Sequence, residues 1–164
     1  MFEKFGEFDS VEELNRAADA QLKDGDMEAV IAIALENGID KEDAEEFIEG
    51  YAPELATPLM AAVGKLNIEA KELELVGVLE DWKESIIQIC TEDEEFSKAV
   101  RKTGKKLANC MGELLKYSFN SKKQVSEIIC KAAGLRNGNR KDPVYMGIPS
   151  KAEAKKIIRN YYVG

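Results

Sequence analysis

Carboxylates are the side chains through which this chain could act on another molecule. Asp40, Glu42, Asp43, Glu45, Glu46 and Glu49 fall within DKEDAEEFIEG, and a helix starting near Lys41 would place Glu42, Glu45, Glu46 and Glu49 on one face, opposite Phe47. Such a face presents acceptor oxygens of the kind phosphate offers, so it suits the Lys and Arg clusters of a partner. An ordinary solvated helix face is the plain alternative. The cations gather elsewhere: Lys98, Arg101, Lys102, Lys105 and Lys106 surround one helix end, and Arg136, Arg140 and Lys141 lie in a polar loop. Groups of that type suit direct contact with nucleic-acid phosphates, with Tyr145, Tyr161 or Tyr162 placed to stack on bases. Lysines at a helix C-terminus also answer the helix dipole and need no partner.

Catalytic readings find less material. Histidine is absent, which removes the commonest general base and metal ligand together with the usual nucleophilic triads. Cys90, Cys110 and Cys130 are odd in number and widely spaced, so they read as small buried apolar residues rather than as disulfides or a zinc site. Thr103-Gly104-Lys105-Lys106 resembles a fragment of a phosphate loop but lacks the upstream glycine and the following Ser or Thr. The run Glu92-Asp93-Glu94-Glu95 has no calcium-loop geometry, because consecutive helical residues point around the cylinder. We therefore expect no enzyme activity, no metal and no cofactor.

The charge is divided along the chain. Residues 1–82 carry 22 Asp and Glu against 6 Lys and Arg, whereas residues 83–164 carry 17 basic residues against 9 acidic ones. Opposed fields of this kind steer association with charged partners, or draw the halves of one molecule together. The reversal is sharpest in EDEEFSKAVRKTGKK, residues 92–106, where acids favour a helix start and cations its end. No run of eighteen apolar residues occurs and the first ten residues are acidic, so a cytoplasmic protein that does not span a membrane is expected.

Helical spacing positions these groups. Ser10 and Glu13 form a capping box before Val11, Leu14, Ala18 and Leu22; Ala29, Val30, Ile33 and Ala34 make a second stripe ending at Asn37-Gly38. Asp40 caps a third helix that stops at Gly50, and a fourth, its start bracketed by Pro53 and Pro58, carries Leu55, Leu59, Ala62, Val63 and Leu66. Residues 67–76 read as a connector. The helical period then returns through Trp82, Ile86 and Cys90, and Thr91 with Glu94 predicts the cap of a helix that Gly104 terminates. Later stripes are Leu107, Cys110, Met111, Leu114, Leu115 and Phe119, then Val125, Ile128, Ile129 and Ala132, then Ala154, Ile157, Ile158, Tyr161 and Tyr162 behind a Ser150–Glu153 capping box. The expected fold is all-α, a compact multi-helix array with a short extended segment near 143–148. It divides into an acidic N-terminal region, 1–76, and a basic C-terminal region, 77–164.

From about Asp81 onward, DWKESIIQIC, DEEFSKAV, GKKLANCMGELLK and AKKIIRNYY follow one another in an order that resembles the PcfK-like proteins of conjugative and other mobile elements. Phe96, Lys105, Cys110, Tyr161 and Tyr162 fall where that pattern places such residues, while Asn160 stands where the family often has histidine. The PcfK-like family is similar in turn to a group of Cas9 inhibitors, type II-A anti-CRISPR proteins of mobile elements. The resemblance implies a non-enzymatic inhibitor that binds a Cas9-type nuclease, with or without guide RNA, and blocks its action on DNA. Two other outcomes fit the charge pattern: direct nucleic-acid binding, and a homodimer or larger assembly in which the acidic half of one copy meets the basic half of another.

Overall fold

The computed structural model describes residues 4–135 and 143–164; Arg136, Arg140 and Lys141 lie outside the described residues. Among the described residues the chain is all-α apart from one small β-pair. The order is α1 (Val11–Lys23), α2 (Met27–Glu36), α3 (Lys41–Ile48), α4 (Pro58–Leu73), α5 (Val78–Glu92), α6 (Glu94–Arg101), α7 (Leu107–Asn120), β1 (Lys123–Gln124), α8 (Glu127–Ala132), β2 (Tyr145–Met146) and α9 (Lys151–Val163). The extended segment expected near 143–148 is β2, which pairs antiparallel with β1 through Lys123 opposite Met146. No helix is long and apolar enough to cross a membrane among the described residues.

Two hydrophobic cores share α4. Val11, Leu14, Val30, Ile33, Phe47, Leu55 and Ala61 build the first, and Ala62, Leu66, Trp82, Ile86, Phe96, Leu107, Cys110, Leu114, Ile158 and Tyr162 the second. Successive residues Ala61 and Ala62 thus face different cores. The Asn37–Gly38 turn that ends α2 lies so close to α4 that neither side has room for a side chain: a Cβ on Gly64 would collide with the Asn37 carbonyl, and one on Gly38 would lie 2.5 Å from the Gly64 carbonyl. Gly38 also needs its φ of +73°, which ends α2 in a left-handed turn.

Local signals explain most helix ends. Ser10, Asp26, Thr57, Asp93 and Ser150 each accept a hydrogen bond from a first-turn amide, and Ser150 with Glu153 completes a full capping box. Several boundaries and caps differ from the sequence expectation; Leu55 precedes α4 and Val125 precedes α8. Residues 67–73 are the last turns of α4, because Ala70 and Leu73 pack on the second core one and two turns beyond Leu66. Thr91 is no cap: α5 runs on to Glu92, the Thr91 hydroxyl donates to the Ile87 carbonyl, and Asp93 caps α6 instead. Asp40 precedes α3 without a side-chain cap bond, and α6 ends at Arg101, before Gly104. The stripe at Ile128 and Ile129 is 79% and 60% exposed, and Cys130 alone of α8 is buried.

The residues that carry the PcfK-like resemblance converge in the second core. The Phe96 and Tyr162 rings meet edge to face at 5.5 Å, Tyr161 and Tyr162 at 4.9 Å, and Cys110 is fully buried beside them. Lys105 Nζ donates to the Tyr161 carbonyl at 2.7 Å and lies 5.4 Å from the centre of its ring. These positions therefore hold α6, α7 and α9 together.

Candidate functional site

The sequence places two sets of charges in contention, and the structure treats them differently. Among the cations, Arg101 is 1% exposed and so is no surface group. The apolar spacing of Phe96, Val100 and Leu107 turns its position inward, and one guanidinium nitrogen donates to Asn37 Oδ1 at 2.8 Å. Lys98 pairs with Glu94 at 3.0 Å and Glu95 at 2.8 Å on its own helix, which raises its pKa. Lys105 is engaged with Tyr161, and Lys106 Nζ meets Glu7 at 2.6 Å. Lys102 is exposed. The expected basic patch is thus broken up by partners within the fold.

Its centre is a side chain that composition alone does not single out. Lys65, 1% exposed on α4, donates to the carbonyls of Val100 at 3.1 Å, Lys102 at 2.5 Å and Lys105 at 2.8 Å. One turn later on the same helix, Glu69 accepts from the Leu107 amide at 2.7 Å, the first residue of α7. A cation thereby answers the C-terminal end of α6 and an anion the N-terminal end of α7, each in the sense that the helix dipole favours. Glu7 lies 3.7 Å from Lys65 and completes the cluster. Burial pulls the Lys65 ammonium down to about 8, against the raising effect of Glu69 and Glu7. The Lys102–Lys105 turn points carbonyls at an ammonium, so the phosphate-loop fragment in the sequence is a helix connector.

The carboxylates of α3 have the opposite fate. Ala44 and Phe47 bury its apolar stripe against α2, which leaves Asp40, Glu42, Glu46 and Glu49 exposed and Asp43 and Glu45 half-buried. Glu45 takes an i,i+4 ion pair with Lys41 at 2.5 Å, between side chains that are 47% and 58% exposed. From Asp24 to Glu54 the chain carries eleven Asp and Glu and one cation, Lys41, so the surface is anionic almost throughout.

An open cleft of about 920 Å³ lies between the α2–α3 turn, α4 and α5. Asp40 lies on its rim, and Glu74, Glu80, Asp81 and Glu84 line it from the opposite side, all exposed. Leu35, Ile39, Ile68 and Leu75 supply apolar wall, and Lys71 and Lys83 are its two cations. Glu74 sits in the left-handed region at φ 45°, which turns the chain back so that the start of α5 faces the end of α4. The cleft carboxylates escaped the sequence reading because they come from two helices joined by that turn. Their only linear trace is the pair Glu80-Asp81 in the first turn of α5.

Chemically the surface can accept hydrogen bonds from guanidinium and ammonium groups, with apolar wall for the stems of long cationic side chains. Among the described residues no cluster of three or more His, Cys, Asp and Glu is arranged to hold a metal ion. The three cysteines are buried and unpaired, as their spacing suggested, and burial pushes Cys90 and Cys110 up to about 11 and about 12. Compared with protein-family models, curated proteins and solved structures, the chain matches none.

Proposed function

We propose that this chain is a mobile-element-encoded inhibitor that binds a Cas9-type CRISPR effector in the cytoplasm and blocks its action on DNA by protein–protein contact, without catalysis. The observation that supports the reading is the pair of carboxylate-bearing surfaces, the exposed acids of α3 and those lining the α4–α5 cleft, with Asp40 before α3 on the cleft wall. An effector of that class holds nucleic acid in positively charged channels and contacts it chiefly through phosphate. A rigid row of carboxylates competes for the same Lys and Arg side chains and costs little ordering entropy on binding. The resemblance to PcfK-like proteins and their Cas9-inhibitor relatives from about Asp81 onward supports this choice of partner class.

Direct nucleic-acid binding is favoured less, because Arg101 is buried and Lys65, Lys98, Lys105 and Lys106 are engaged within the fold. The test is a target-DNA shift assay with guide-loaded effector, titrated with this chain over a salt series. Inhibition that weakens steeply as salt rises supports competition for cationic side chains. Unchanged DNA binding at saturating protein, or shift of the oligonucleotide by this chain alone, overturns it.

A further inference from the structure

Residues 4–9, the segment that precedes α1, lie in neither helix nor strand, and separate parts of the fold meet them group by group. Glu36 of α2 accepts from two successive main-chain amides, Lys4 through one carboxylate oxygen and Phe5 through the other, each at 3.0 Å. The Phe5 and Phe8 rings are half-buried against the first core. One Glu7 oxygen lies 2.6 Å from Lys106 Nζ and the other 3.7 Å from Lys65 Nζ. Asp9 accepts from the Thr103 amide at 3.2 Å, and the Phe8 carbonyl accepts from the Thr103 hydroxyl at 3.5 Å. The segment thus lies on α2, α4 and the α6–α7 turn in the manner of a bound peptide: its main chain is read by a carboxylate, its rings by apolar seats and its two acids by a cationic turn.

Such a segment can leave without dismantling the helices under it. It adds no helix or strand to them, and Gly6, in the left-handed region at φ +78°, has nothing within 4 Å of the place a Cβ would take. Segments held by a few half-buried contacts open at a lower free energy than the core on which they rest. While tethered, the segment fills its seat at a high effective concentration, which any competing peptide in solution must overcome. The seat also selects the chemistry of the competitor. Phosphate would satisfy Lys106 and the Thr103 amide, but a nucleic-acid backbone has no N–H for Glu36, whose carboxylate would repel it. A peptide with carboxylates and aromatic side chains answers Glu36, the two ring seats, Thr103 and Lys106 together.

We propose that residues 4–9 are an internal pseudo-ligand, which masks a docking seat for an acidic, aromatic-bearing peptide segment of a partner protein. Glu36, Lys65, Thr103 and Lys106 belong neither to α3 nor to the α4–α5 cleft, and the proposal stands independently of the inhibitor reading. The probe is a fluorescent synthetic peptide with the sequence of residues 4–10, KFGEFDS, titrated by anisotropy against the full chain. It is titrated also against two full-length variants altered only in the masking segment, Glu7→Gln with Asp9→Asn and Phe5→Ser with Phe8→Ser. Both keep the seat residues intact. Each variant binds the peptide at least about tenfold more tightly than the parent, whose own segment competes. A twin peptide with Gln and Asn in place of the two acids binds the variants at least about tenfold more weakly, and adding Lys106→Glu to either variant removes binding. The serine pair keeps the Glu7 charge beside Lys65, and circular dichroism on both variants separates an opened seat from an unfolded chain. Binding no tighter to either variant than to the parent, or equal binding of the two peptides, overturns the proposal. So does a single-stranded oligonucleotide that displaces the peptide at equal concentration.

Discussion

Lys65 and Glu42 carry unit charges in the same half of the chain, yet they belong to regions with opposite physical roles. Around buried Lys65, the largely buried Glu7 and Glu69 and the half-exposed Lys106 meet within a few ångströms, and each charge answers another charge or the end of a helix. Around Glu42, carboxylates stand in water with Lys41 as the only cation from Asp24 to Glu54. The contrast teaches that a charge becomes structural or available according to the helix face on which it falls. Buried ions must be answered within the fold because desolvation is expensive, whereas exposed ones remain free to answer a partner.

Breaking the interior cluster should have the largest effect. Lys65→Met removes the donor shared by three carbonyls and leaves Glu7 and Glu69 without their buried cation. Loss of about 3–5 kcal/mol in urea unfolding is expected. Gly64→Ala comes next, since its Cβ meets the Asn37 carbonyl and must push the Asn37–Gly38 turn away from α4; about 1–3 kcal/mol is expected from the same measurement. A loss below about 0.5 kcal/mol for either would mean that the helices near Gly64 and Lys65 are not packed as described.

The cluster also gives the comparison a pH signature. The unfolded chain holds the Lys65 proton up to an ordinary value of 10.5, while the folded chain releases it at about 8. Unfolding therefore takes up a proton across that window, and Lys65 makes stability rise with pH there. Cys90 and Cys110 act in the other direction. Their thiols are raised from 9.0 to about 11 and about 12, so above pH 9 the unfolded chain loses protons that the folded chain keeps, and stability falls. The thermal midpoint should rise between pH 8 and 9 and decline beyond, and Lys65→Met should abolish the rise while leaving the decline.

The smallest effect on stability belongs to the acidic face. Replacing Glu42, Glu45, Glu46 and Glu49 together by glutamine should move unfolding by no more than about 0.5 kcal/mol, since Lys41–Glu45 is an exposed pair. A large loss would place α3 with the interior cluster instead.

The legibility of these regions in sequence differs for physical reasons. The all-α fold, the stripes of α1, α2 and α9, the Leu107–Leu114 part of the α7 stripe, and the exposure of most α3 carboxylates follow from periodicity and caps, which are local, whereas Leu115 and Phe119 of the expected α7 stripe are 49% and 64% exposed. Asp93 displaced Thr91 as the cap of α6 because Ile86, Ile89 and Cys90 continue the buried stripe of α5 to its end, a tertiary preference that overrides a local motif. Residues 67–73 joined α4 for a similar reason, although the alternation of Leu73 and Leu75 with glutamates resembles a strand. Arg101 could not be separated from Lys102 by composition, because only the orientation of α6 against α4 buries one and exposes the other. The cleft acids and the Lys65–Glu69 pair depend on helices that meet across the α4–α5 turn and the α6–α7 turn. No linear spacing records those meetings.

The central claim is that the exposed carboxylates are the working surface. Comigration of the chain with guide-loaded Cas9-type effector on a sizing column tests it most directly, with the Glu42, Glu45, Glu46 and Glu49 glutamine variant run beside the parent. The parent should elute with the effector and the equally stable variant should elute alone. Coelution of both, or of neither, would contradict the account.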